Sequence, residues 1–276
     1  MSIQPTRKHH VLIVAHGSRS AKWVAAQREW WAQLDASLRQ QSPTLTTELC
    51  FLEIAQPLFE SRLEFWKNHP EVADTSLHVF PFFLSKSGHA SEDIPEIIQQ
   101  AELVSPPGII QPSGWPAILA QNAERRLASY GATPEIPVIV SGYGASHHDH
   151  LWQELLRDIQ ASSTVYRDQP KWLWAPSGHF FEDYTVPLRR CLQCLKERRI
   201  NRCAVLPLYL AVSSYQEQLI PNVSGEFPEI HVHTGVDSIL PDPQVVKWGV
   251  EQIHLHIAQP EVHSPELLSS ASLLSN

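Results

Sequence analysis

The sequence predicts an α/β protein of two similar domains, each a parallel sheet flanked by helices, with a cleft between them. Two observations carry this. Short apolar runs alternate with stretches whose apolar residues recur at helical spacing, the pattern of parallel strands joined by right-handed helical crossovers. The plan then begins again at Val138: Leu206-Pro207-Leu208-Tyr209-Leu210 matches Phe80-Pro81-Phe82-Phe83-Leu84, and Tyr215 through Ile220-Pro221 matches His89 through Ile94-Pro95, both at an offset of 126 positions.

Residues 11–15 form the first apolar run, ending in His16-Gly17-Ser18, and residues 21–40 follow with Trp23, Ala26, Trp30 and Leu34 at helical spacing. Residues 48–54 give a second strand, closed by Gln56-Pro57 and followed by a helix to about Asn68. The third strand spans residues 77–84 and leads into the small-residue loop Ser85-Lys86-Ser87-Gly88-His89, after which Ile94-Pro95-Glu96 opens a helix with proline in its first turn. Residues 109–111 suggest a fourth strand, and residues 116–130 a helix ended by Gly131. Pro134 and Pro137 mark the boundary, giving domains over residues 1–132 and 133–258 and a Ser-rich, flexible tail over 259–276.

With 276 residues, 43% of them apolar and 18% charged, the chain has the composition of a packed globular protein. Its net charge of −8 disfavours nucleic-acid binding, which needs Lys and Arg to displace phosphate counterions. An anionic ligand would need local cations and backbone N–H groups. No run approaches the roughly 20 apolar residues of a membrane span, and the five apolar residues before His16 are too few for a secretory core. Four cysteines make no disulfide scaffold, so reduced thiols in a cytoplasmic monomer are expected.

In open parallel sheets, ligands gather beyond the carboxyl ends of the strands. His16 follows the first strand, Glu53 ends the second and His89 lies in the loop after the third, so three groups far apart in sequence can face one crevice. Two imidazoles and a carboxylate suit a divalent metal such as cobalt, nickel, iron or zinc, and equally suit proton removal near neutral pH. Each also has a plainer reading. A histidine beside glycine is often a turn residue, and Glu53 could pair with Lys86 or Arg19 as an ordinary charged strand end.

Residues 11–20 (VLIVAHGSRS), 51–58 (FLEIAQPL) and 80–95 (FPFFLSKSGHASEDIP) together resemble the class II tetrapyrrole chelatases that act on sirohydrochlorin in siroheme and cobalamin biosynthesis. The third block is the most specific. The resemblance implies ATP-independent insertion of Co²⁺, Fe²⁺ or Ni²⁺ into a planar macrocycle carrying eight carboxylates, with the metal as substrate and no organic cofactor. It places the catalytic and metal-handling roles on His16 and His89, with Glu53 assisting. Gly17, Ser18, Arg19, Lys86, Ser87 and Gly88 become candidates for binding the macrocycle's carboxylates, with Lys22 a weaker one.

The second copy departs from this pattern. Tyr143 stands opposite His16, Tyr215 opposite His89 and Asp183 opposite Glu53. Phenols with pKa near 10 are poor bases at neutral pH, so the second domain is expected to serve as a wall for the macrocycle, with Tyr143 and Tyr215 touching substrate, or to be purely structural. His147-His148-Asp149-His150 invites a metal-storage reading, Cys191-Leu192-Gln193-Cys194 has metal or redox spacing but sits in an amphipathic helix, and His179 is a further cleft candidate. Two rivals remain open: a tetrapyrrole or metal carrier without catalysis, and a two-lobed solute-binding protein.

Overall fold

Strand β1, Lys8–Ala15, lies at the centre of the first of two four-stranded parallel sheets, and its Val11 to Ala15 are fully buried. This is the burial expected where helices cover both faces of a parallel sheet. The computed structural model describes residues 8–69, 74–85, 89–144, 149–170, 172–178 and 182–258. Around β1 are β2 (Leu45–Phe51), β3 (Thr75–Pro81) and the short β4 (Gly108–Ile109), in the order β2-β1-β3-β4. The second sheet repeats that order as β6-β5-β7-β8, from β5 (Val138–Tyr143), β6 (Leu173–Ser177), β7 (Arg202–Leu208) and β8 (His231–Thr234). The duplicated α/β architecture expected from the sequence is therefore present, strand for strand.

Helix α1, Ala21–Gln41, begins where Ser20 accepts the Trp23 N–H at 3.3 Å, a side-chain cap for an otherwise orphaned donor. It buries Trp30, Leu34 and Leu38. The remaining helices are α2 (Phe59–Asn68), α3 (Ile94–Gln100), α4 (Trp115–Ser129), α5 (Asp149–Ser162), α6 (Val186–Glu197), α7 (Ser214–Gly225) and α8 (Pro243–Ile257). A π-helical turn over His89–Asp93 runs directly into α3.

The boundary near residue 132 separates the strands of the two sheets, but two helices cross it. Helix α4, from the first half, packs on α5 and β7. Its Arg126 donates to Asp237 at 2.9 Å, its Asn122 to Asp242 at 2.7 Å, and its Glu124 accepts from the Ser163 hydroxyl and the Thr164 N–H at 2.6 Å. Helix α8, from the second half, packs on α1, so closely that a Cβ at Gly249 would lie 2.5 Å from Leu34 Cδ1. Where the exchanged helices meet, Trp115 and Trp248 stack at 4.5 Å, and Trp30 stacks on Phe82 at 3.8 Å. One apolar core thereby spans both halves, and it fixes the two sheets' carboxyl edges relative to each other.

Candidate active site

The site grows from the loops that leave β1, β2 and β3. Beyond β1 the ladder continues for two more bonds: Leu52 N–H donates to the Ala15 carbonyl at 2.9 Å and Glu53 N–H to the His16 carbonyl at 3.1 Å. The two loops touch so closely that a Cβ on Gly17, at φ +102°, would sit 1.8 Å from the Glu53 carbonyl oxygen, and only glycine fits there. The sequence placed Glu53 at the end of the second strand. In the structure β2 stops at Phe51, whose N–H turns to the Pro57 carbonyl at 2.9 Å, and Glu53 lies in a tight turn closed by Ala55 N–H on the Glu53 carbonyl at 2.6 Å. Arg28 holds the far side of this loop through the Gln56 carbonyl at 3.1 Å.

His16 and His89 meet. Their ring centroids are 4.6 Å apart, edge to face at 83°. His16 Nδ1 lies 3.1 Å from the Gly17 carbonyl and 3.5 Å from Glu53 Oε1. A carbonyl oxygen only accepts, so Nδ1 carries the proton and Nε2 keeps its lone pair. His89 is held in the same sense: its Nδ1 lies 2.5 Å from Asp93 Oδ2, one π-helical turn along the chain. π-turns are frequent at functional positions, and a carboxylate behind an imidazole fixes tautomer and ring orientation. Asp93 was missed by sequence reading, although the i, i+4 spacing within HASED carried the signal. Among the described residues no three His, Cys, Asp or Glu side chains are grouped to hold a metal ion. The arrangement is a pair of imidazoles, each backed by a carboxylate, and not a closed metal cage.

The second half contributes Tyr143, at the end of β5. It is half-buried, and burial raises its phenol above the ordinary value, with the Glu53 charge pushing the same way. Tyr143 of one sheet and Glu53 of the other are thus near enough to interact. Behind Tyr143, Tyr209 shares its hydroxyl with Ser177 Oγ at 2.6 Å and Ser141 Oγ at 3.1 Å, and burial drives that phenol up as well. Phenols and a buried hydroxyl network thus occupy the region that answers to the imidazoles.

The other candidates divide. Ser18 Oγ accepts the Ser20 N–H at 3.1 Å, and Arg19 is exposed beside it. Lys22 is ion-paired with Glu217 of α7, a link between the halves at this edge. Asp183 accepts the Thr185 N–H at 2.8 Å just ahead of α6 and pairs with Arg189, an ordinary role beside a helix start. Burial raises the Cys191 thiol to about 11 and Cys203 to about 12, which keeps both protonated and favours packing over metal or redox work. His150 is exposed at the start of α5. Lys86, Ser87, Gly88, His147, His148, His179, the side chain of Tyr215 and the tail over 259–276 lie outside the described residues.

Comparison with known proteins bears on the family segment and the fold. Residues 10–114 match the CbiX family model. No protein of curated function matches the sequence. Among solved structures, SirB from Bacillus subtilis with Fe³⁺ shares 19% identity over 91% of this chain and 96% of its own, with a TM-score of 0.64. The sirohydrochlorin chelatase SirB from Bacillus subtilis subspecies spizizenii, in complex with cobalt, gives 19%, 90%, 94% and 0.62. CbiX, the terminal enzyme for biosynthesis of siroheme in denitrifying bacteria, gives 13%, 92%, 100% and 0.57. At these identities the structural matches establish the shared fold.

Proposed function

We propose that this chain, which carries a CbiX family segment over residues 10–114 within a SirB-like two-domain fold, inserts a divalent metal into sirohydrochlorin or a related tetrapyrrole. Co²⁺ and Fe²⁺ are the favoured metals, with Ni²⁺ a third choice, and the pathway is that of siroheme or cobalamin. One observation carries the reading: two imidazoles 4.6 Å apart, both with Nδ1 turned to an acceptor. Both Nε2 lone pairs are then available to a metal in transit or to a departing pyrrole proton.

In this reading the first domain, residues 1–132, carries catalysis, and the second, 133–258, supplies the opposing wall through Tyr143 and Tyr215. The metal is a substrate, so an open pair of ligands suits it better than a cage that would retain it. Loss of two pyrrole protons balances the two positive charges of the entering ion. His16 and His89 accept those protons, and Glu53, 3.5 Å from His16, passes one on to solvent. Arg19 and Lys86, with backbone N–H groups near Gly17, Ser18, Ser87 and Gly88, receive substrate carboxylates. Lys22 joins them only when Glu217 releases it.

A second reading, a carrier that binds the macrocycle without turnover, draws on the second half, where Tyr143 and Tyr215 stand opposite the two imidazoles. Absorbance changes on metal entry into sirohydrochlorin separate the two. Catalysis predicts many turnovers per chain, at least 100-fold loss in His89→Ala and a clear slowing in His16→Ala. Wild-type rates in both variants would remove the site from the reaction.

A further inference from the structure

Ile54 occupies a position that its residue type resists. It sits at the apex of the turn closed by Ala55 N–H on the Glu53 carbonyl, at φ +65°, where a β-branched side chain crowds its own backbone. Two other non-glycine residues among those described have positive φ, Glu102 and Arg199, and both lie just beyond a helix end, where this conformation is ordinary. Ile54 has no such reason. Ile54 is also 52% exposed, one of the few exposed large apolar residues among those described. The same turn sets Glu53 against His16, so a strained, solvent-facing isoleucine adjoins the groups proposed to do the chemistry. Strain and apolar exposure together are kept where a bound partner uses them.

We infer that Ile54 is a substrate-positioning residue whose side chain packs against the apolar face of a planar macrocycle as the ring nitrogens are presented to His16 and His89. This inference rests on the chelatase reading. The ring face of a tetrapyrrole is apolar and its carboxylates lie at the rim, so an aliphatic contact beside the imidazoles complements cationic contacts farther out.

The test uses the full chain with Ile54→Asn, Ile54→Gly and Ile54→Leu. Asparagine and glycine accept the left-handed backbone, so both variants should fold with a melting temperature equal to or above wild type. Sirohydrochlorin binding, followed by quenching of tryptophan fluorescence, should weaken about 5- to 10-fold in both, KM rising with it and kcat changing less. Ile54→Leu should bind within about twofold of wild type. Unchanged sirohydrochlorin affinity in Ile54→Asn and Ile54→Gly would overturn the inference and leave the chelatase reading standing. A loss in Ile54→Leu equal to that in Ile54→Gly would also overturn it, since an apolar contact would then not be the cause. A wild-type protein that fails to bind sirohydrochlorin would overturn both.

Discussion

Replacing Gly17 by alanine should dismantle the site while sparing the apolar core. The added Cβ would lie 1.8 Å from the Glu53 carbonyl oxygen, so the two loops must part by at least about 1.2 Å to reach 3.0 Å, the closest tolerable approach. The obstacle is backbone on both sides, and no side chain can swing away to relieve it. Alanine at φ +102° costs about 1–2 kcal/mol in conformation. Parting the loops also lengthens the bond from Glu53 N–H to the His16 carbonyl, worth about 1 kcal/mol. We expect a loss of roughly 2–3 kcal/mol in unfolding free energy, read by urea titration at unchanged m. Because His16 and Glu53 ride on the two separated loops, a displacement near 1 Å should slow metal entry into sirohydrochlorin about 100-fold. A Gly17→Ala protein with wild-type stability and wild-type rate would refute the claim that this contact sets the site.

Two more outcomes follow from particular contacts. Asp93→Asn removes the carboxylate behind His89, so kcat for metal insertion should fall about 10- to 100-fold while the urea midpoint moves little, Asp93 being about half exposed; an unchanged kcat would deny Asp93 its orienting role. His10 is partly buried beside Trp66 and near Arg62, and burial first, then the guanidinium, lowers it from 6.5 to about 4. The unfolded chain therefore takes up this proton near pH 6.5 and the folded protein only near pH 4. Stability should be complete above about 6.5 and fall by about 3 kcal/mol as pH drops to about 4. His10→Gln should flatten that limb of the urea-stability profile, and an unaltered slope would show that another group controls it.

The exchange of α4 and α8 gives the second half a mechanical role. A second domain attached only by a linker could drift from the first. Here Arg126, Asn122 and Glu124 of the first half anchor on the second, while Trp248 of the second is buried against Phe80 of the first. Tyr143 is thereby held near Glu53.

The sequence by itself determined the alternation of strands and helices, the duplication, and the placing of His16 and His89 beyond strand ends. Those features are local: a buried strand is written in consecutive apolar residues, and the loop after it in small and polar ones. Local reading also had a limit at Glu53, because the apolar run continues through Ile54 and conceals the turn, which only hydrogen bonds to Ala55 and Pro57 reveal. Tertiary structure alone decided which sheet receives α4 and α8, that Asp93 stands behind His89, and that Tyr143 comes near enough to Glu53 to sense its charge. An amphipathic helix records that it has an apolar face, but not which of two similar sheets will cover it. That choice is made by packing between residues more than a hundred positions apart, such as Trp115 and Trp248.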